Sequence, residues 1–151
     1  MRLFLSIITG FFFQILVFRY INISGVTVNI MLILTVQIAL ISGRNRGMIF
    51  GFFSGILEDL LFPGLLGERV LARVLIAYLI GSFRGKLSPG NFFFQFIINA
   101  AAYLFHFGVI FLIRSVFSIP APSAVRLIPS ALAAGLFAPV FYFIMSRTDA
   151  G

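Results

Sequence analysis

An all-α membrane fold, a compact bundle of six transmembrane helices in one domain over residues 1–151, is what the sequence predicts. Three observations carry that expectation. Hydrophobic residues make up 61% of the chain and charged residues 10%, with a mean hydropathy of +1.14, against roughly a quarter charged in soluble domains. Apolar runs of helix length follow one another with short breaks, and at about 20 residues per crossing the chain has room for about six crossings and little else. The basic residues, behind a formal charge of +7, stand in ones and twos between those runs. Loop charges of a polytopic protein are arranged in this way, whereas a nucleic-acid surface gathers them on one face or in a tail. The lipid bilayer, and no nucleic acid, is therefore the expected surrounding. Cysteine is absent, which excludes disulfides, thiolate nucleophiles and cysteine metal sites.

The first span runs from about Leu3 to Phe18. Met1-Arg2 ahead of it looks like the start of a signal peptide, but Phe18-Arg19-Tyr20-Ile21-Asn22 is too bulky for a cleavage site. Asn22-Ile23-Ser24 matches a glycosylation sequon, a pattern common by chance. The second span covers about Val26 to Ile41 and ends in a turn from Gly43 to Arg46. The third covers Gly47 to Phe62, where Pro63-Gly64 stops it, and the fourth about Val70 to Phe83, where Arg84-Gly85-Lys86 stops it. These two measure about 24 Å and 21 Å, short of the roughly 30 Å hydrocarbon core. Either both cross with their charged ends snorkelling, or they form a re-entrant hairpin. The hairpin holds Glu68, Arg69 and Arg73 at membrane depth, at several kcal/mol, so crossing is the favoured expectation.

The fifth span runs from Asn91 or Phe92 to Ile113, and the sixth from about Ala124 to Met145. Pro120 and Pro122 lie in the connection; Pro129 and Pro139 fall inside the last span and predict a bend. Short connections imply antiparallel neighbours. With the N-terminus inside, Arg2, Arg44, Arg46, Arg84, Lys86 and Arg147 are cytoplasmic, six cations against five for Arg19, Arg69, Arg73, Arg114 and Arg126. The excess and the dense basic turns place both termini in the cytoplasm.

Unusual residues concentrate between Gly43 and Gly67, and the rest of the chain is expected to pack around that stretch. Gly47, Gly51 and Gly55 fall at i, i+4 and i+8, with Asp59 next in the series. A helix there carries one smooth seam ending in a carboxylate, and such seams let helices approach closely in a bilayer. Asp59 needs a partner at that depth; Arg69 and Arg73, four apart on the next helix, are the candidates. On the fifth span Gln95, Asn99 and His106 lie within about 40° of one another with Ala102 between them. That stripe is either an interhelical hydrogen-bond seam or the lining of a small-molecule or proton pathway. Catalysis is not expected. Glu58 and Asp59 are adjacent and point about 100° apart, and no nucleophile has a base beside it. A single histidine cannot build a metal site, and no cofactor is expected.

Taken together, Gly47-x3-Gly51-x3-Gly55-x3-Asp59-Leu60-Leu61, then Leu66-Gly67, then Ala77-Tyr78-Leu79-x-Gly81-x2-Arg84-Gly85 resembles the rod shape-determining MreD family. The small-residue stretch from Ala131 to Pro139 is similar to that family's ending. Where the family tends to open the second span with Pro-Asp, Val28-Asn29 stands here, and Asn29 keeps the shape of an Asp without its charge. The resemblance implies a fold like the substrate-binding S components of energy-coupling-factor vitamin transporters. It implies a non-enzymatic inner-membrane component of the bacterial wall-elongation machinery. The partner it implies is the single-span protein MreC, with indirect links to the MreB filament and to the peptidoglycan polymerase and transpeptidase. By that likeness Gly51, Gly55 and Asp59 serve helix packing or partner docking near the outer face. Gly67 closes that motif, and Tyr78, Gly81 and Arg84 hold the cytoplasmic end of the fourth span. The competing reading is a substrate-binding transport subunit with Gln95, Asn99 and His106 in its pocket.

Overall fold

The computed structural model describes residues 28–62, 64–86, 90–120 and 123–149. Among them are five α-helices and two short 3-10 turns, with no strand. The helices are α1 (Ile30–Ser42), α2 (Arg44–Leu61), α3 (Glu68–Ser82), α4 (Phe92–Val116) and α5 (Leu127–Asp149), with 3-10 turns at Arg84–Lys86 and Ala124–Arg126. The first predicted span, Leu3 to Phe18, and the Asn22 sequon lie outside the described residues.

Helix ends follow local chemistry, and two starts differ from expectation for identifiable reasons. Asn29 caps α1 by accepting from the Leu32 N–H at 3.0 Å. Gly43, at φ +91°, reverses the chain alone, a backbone shape that glycine adopts without a Cβ clash. Arg44 and Arg46 are therefore the first turn of α2 and not a loop. Gly67, at φ +97°, makes the corresponding turn before α3, and α3 begins at Glu68, two residues earlier than expected, because an acid suits the positive end of a helix. Asn91 accepts from the Phe93 N–H at 3.0 Å and starts α4. Pro129 is the third residue of α5, where a backbone N–H has no helical partner to lose.

The helices alternate in direction. Asn29, at the start of α1, meets Glu58, at the end of α2; Glu68, at the start of α3, meets Arg114, at the end of α4. Gln37 of α1 reaches the Ala138 carbonyl of α5, and Ile33 packs with Ala134 and Ala138, so α1 and α5 run parallel.

The centre of the bundle is α1, not the glycine-rich stretch. Ile30 to Leu40 are buried without a break. Leu32, Val36, Ala39 and Leu40 pack on Ile76, Ala77 and Ile80 of α3 and Ala102 of α4, while Ile30, Met31, Leu34 and Ile38 meet Phe50 of α2. The glycine series brings α2 against this core. A Cβ at Gly47 would stand 2.7 Å from Ala39 Cβ of α1, and one at Gly55 2.6 Å from Val70 Cα of α3. At Gly51 it would lie 3.2 Å from Thr35 Cγ2 and 3.3 Å from the Arg73 backbone.

The outside is apolar and part of the inside is charged, the reverse of a soluble protein. Phe93, Leu112, Val125 and Ile128 are more than 60% exposed, whereas Arg73 is fully buried and Glu68 is 2% exposed. Two helical segments among the described residues, Phe92–Val116 and Ala124–Ser146, are long and apolar enough to cross a membrane. The exposed apolar belt also covers α2 and α3, at Phe52, Phe53, Leu71 and Leu75. This is the surface of a membrane protein.

Candidate functional site

Three of the chain's four acids fall between positions 58 and 68, and folding brings each of them to an arginine. Asp59 is held twice. Its Oδ1 accepts from Arg69 Nη1 at 3.1 Å and its Oδ2 from the Gly67 N–H at 2.8 Å. Both donors lie beyond the turn that follows α2, so one carboxylate fastens the α2–α3 connection. Arg73, one helical turn further on, points into the bundle, where its Nη2 pairs with Glu58 and donates to Asn29 Oδ1 at 3.0 Å. Asn29 Nδ2 in turn donates to Glu58 Oε1 at 3.0 Å. Glu68 takes a two-pronged bond from Arg114, at 2.6 Å from Nη2 and 2.9 Å from Nε. Arg69 bridges the clusters, with Nε 3.9 Å from Glu58 and Nη1 3.8 Å from Glu68.

The three carboxylates and three guanidiniums cancel in charge and tie together the ends of α1, α2, α3 and α4. Fork-shaped guanidinium pairing suits such a site. Sequence reasoning offered Asp59 either Arg69 or Arg73; the structure gives it Arg69 and gives Arg73 to Glu58. Asn29, Glu68 and Arg114 were not brought to this site by sequence reasoning. An available signal was the crowding of three acids into eleven positions of a chain otherwise nearly free of them. Chemically the assembly is a clamp, since each carboxylate is already engaged by a cation.

The polar stripe of α4 faces the bundle interior. Gln95, Asn99 and His106 are all buried. Gln95 Oε1 accepts from Gln37 Nε2 of the central helix at 3.0 Å, and Asn99 Nδ2 donates to the Gln95 carbonyl at 2.8 Å. Gln37 was not anticipated; it is the stripe's counterpart on α1. His106 stands two turns further along the same helix and is also buried. Asn99 Oδ1 and His106 Nδ1 make no hydrogen bond. Among the described residues no three His, Cys, Asp or Glu side chains are grouped as a metal would need.

At the far end of the bundle Gly81 of α3 abuts the backbone of Arg44; a Cβ there would lie 2.6 Å from the Arg44 nitrogen. The Arg44 guanidinium sits 5.3 Å from the centre of the Tyr78 ring, a cation–π contact. Arg84 reaches back over the Gly43 turn. Of the residues singled out from sequence, Gly47, Gly51, Gly55 and Gly81 thus lie between helices of this chain. Asp59 and Gly67 join the ion network, and Tyr78 and Arg84 line the opposite end.

These features define a membrane protein that is helical over the described residues and uses six buried or half-buried charges to hold helices together. Compared with known families, the chain belongs to the rod shape-determining protein MreD family, whose model matches residues 1–147. No curated protein and no solved structure gives a match.

Proposed function

We propose that the chain is a non-enzymatic scaffold of the bacterial cell-wall elongation machinery in the inner membrane. In this reading it is a six-span bundle of S-component type with both termini in the cytoplasm. It binds an MreC-like single-span protein and links the MreB filament, indirectly, to the peptidoglycan polymerase and transpeptidase. The family match over residues 1–147 carries the proposal. The ion network supports it, because Glu58, Asp59 and Glu68 are all committed to holding helices and none is left as an acid or base. The alternating run of α1 to α5 favours crossing by α2 and α3 over a re-entrant hairpin, since each lies end to end beside the central helix. The glycine seam serves packing within the chain, and the partner meets the outward apolar faces.

Affinity purification of the tagged protein from its native membrane in mild detergent, with mass spectrometry of what accompanies it, tests this. A single-span protein with a large outer domain, together with wall-synthesis enzymes, is the expected recovery. A transmembrane coupling subunit with paired ATPases overturns the scaffold and supports a transport subunit. That second reading is favoured by one observation, the unbonded polar atoms of Asn99 and His106 inside the bundle. Replacing Gln95, Asn99 and His106 by leucine discriminates further: a scaffold retains cell-shape activity at normal protein levels, and a transport subunit loses its ligand.

A further inference from the structure

The geometry points to a site for the headgroup of an anionic phospholipid at the end of the bundle opposite the ion network. There the Gly43 turn and the last turn of α3 border an open cleft of about 430 Å³ lined by Ser42, Arg44, Asn45, Gly81 and Ser82. Four exposed cations belong to this end: Arg44, Arg46, Arg84 and Lys86. Arg44 lines the cleft and Arg84 lies beside it. The close approach at Gly81 sets the Arg44 backbone against α3, and the Tyr78 ring holds its guanidinium. Arg84 lies over Gly43, its Nη1 3.3 Å from where a Cβ would be. Glu58, Asp59 and Glu68 are all engaged at the other end, so none of these three acids faces the four cations.

Beside the cations the surface turns apolar. From Asn45 the exposed face of α2 continues through Ile49, Phe52 and Phe53, and from Ser82 the exposed face of α3 continues through Leu79, Tyr78 and Leu75. Both strips keep the three-to-four-residue spacing of one helix face, so each starts at a cleft residue and runs towards the middle of the bundle. A phosphate joined to acyl chains matches this pairing of cations and apolar strips. A free phosphate answers only the cations. The assignment rests on the chain's being a membrane protein.

Native mass spectrometry of the full chain in neutral detergent, offered phosphatidylglycerol and phosphatidylcholine at equal concentration, tests the site. Preferential retention of phosphatidylglycerol is expected. Arg44→Gln and Arg84→Gln should each weaken retention about fivefold and together about 25-fold, as expected for one cation each near an anionic surface. Arg44→Lys should keep most of it, and Arg126→Gln, an exposed cation at the network end, should keep all of it. Equal retention of the two lipids, or an equal loss with Arg126→Gln, overturns the proposal. Displacement by excess glycerol phosphate overturns it as well, because the site then needs no acyl chain. Alkaline carbonate extraction separates the two levels: a chain that stays in the membrane pellet but shows no lipid preference refutes the site alone, whereas one that is extracted refutes the membrane reading.

Discussion

The two ends of the α2–α3 pair handle charge in opposite ways. At one end Glu58, Asp59 and Glu68 meet Arg69, Arg73 and Arg114 in a buried, neutral network. At the other, Arg44, Arg46, Arg84 and Lys86 are exposed, and the acids of that network lie away from them. The same side chain, arginine, is a structural rivet in the first place and a surface charge in the second. The surroundings decide which: a buried ion depends on its partner, and an exposed one is screened and weakly held. All three acids of the 58–68 segment are used at one end, and four exposed cations of the 44–86 segment stand at the other.

The sharpest break in that comparison is Arg73→Gln, which leaves buried Glu58 with Asn29 and only the more distant Arg69. Loss of one partner of a buried pair costs about 3–5 kcal/mol, so thermal unfolding in detergent should show a large fall or no folded protein. Glu58→Gln combined with Arg73→Gln should recover a substantial part; no recovery removes the pair from the account. Next is Gly55→Leu, whose side chain meets the Val70 backbone and must push α2 from α3, for about 1–3 kcal/mol or more. Gly85→Leu, with nothing within 4 Å of a Cβ, is the matched control and should stay within about 0.5 kcal/mol. Asn29→Asp keeps the cap on α1 but replaces the donor to Glu58 with a second carboxylate, for a loss of about 1–3 kcal/mol. Adding Glu58→Gln should restore stability, because a donor again faces an acceptor. The smallest effect is Arg84→Gln, within about 0.5 kcal/mol by the same unfolding measurement.

Much of this was legible where the chemistry is local. The series Gly47, Gly51, Gly55 announces a close approach, and the ten-residue separation of Asp59 from Arg69 leaves few partners to choose from. What required the third dimension was the role of α1. Its sequence, IMLILTVQIALIS, is apolar all round, which in a bilayer describes a lipid-facing helix as well as a central one. Only its position shows that Gln37 answers Gln95 and that Asn29 stands between Glu58 and Arg73. Those contacts span 29, 44 and 58 residues, distances over which periodicity says nothing about proximity. The start of α2 was misplaced for a smaller reason: one glycine at positive φ made a turn for which four residues had been allotted.

The ion network also bears on how the chain is made. A ribosome delivers Glu58 and Asp59 before Arg69 and Arg73, and Arg114 follows Glu68 by 46 residues. An acid entering lipid alone meets a penalty of about 2.5–3.5 kcal/mol at mid-membrane. Asp59 and Arg69 are only ten positions apart, so in the proposed six-span reading α2 and α3 are suited to enter the membrane as a preformed hairpin. Glu68 then waits for its two-pronged partner on the next helix. The order of synthesis thus leaves one carboxylate with only the distant Arg69 until α4 arrives, and its capture by Arg114 joins α3 to α4.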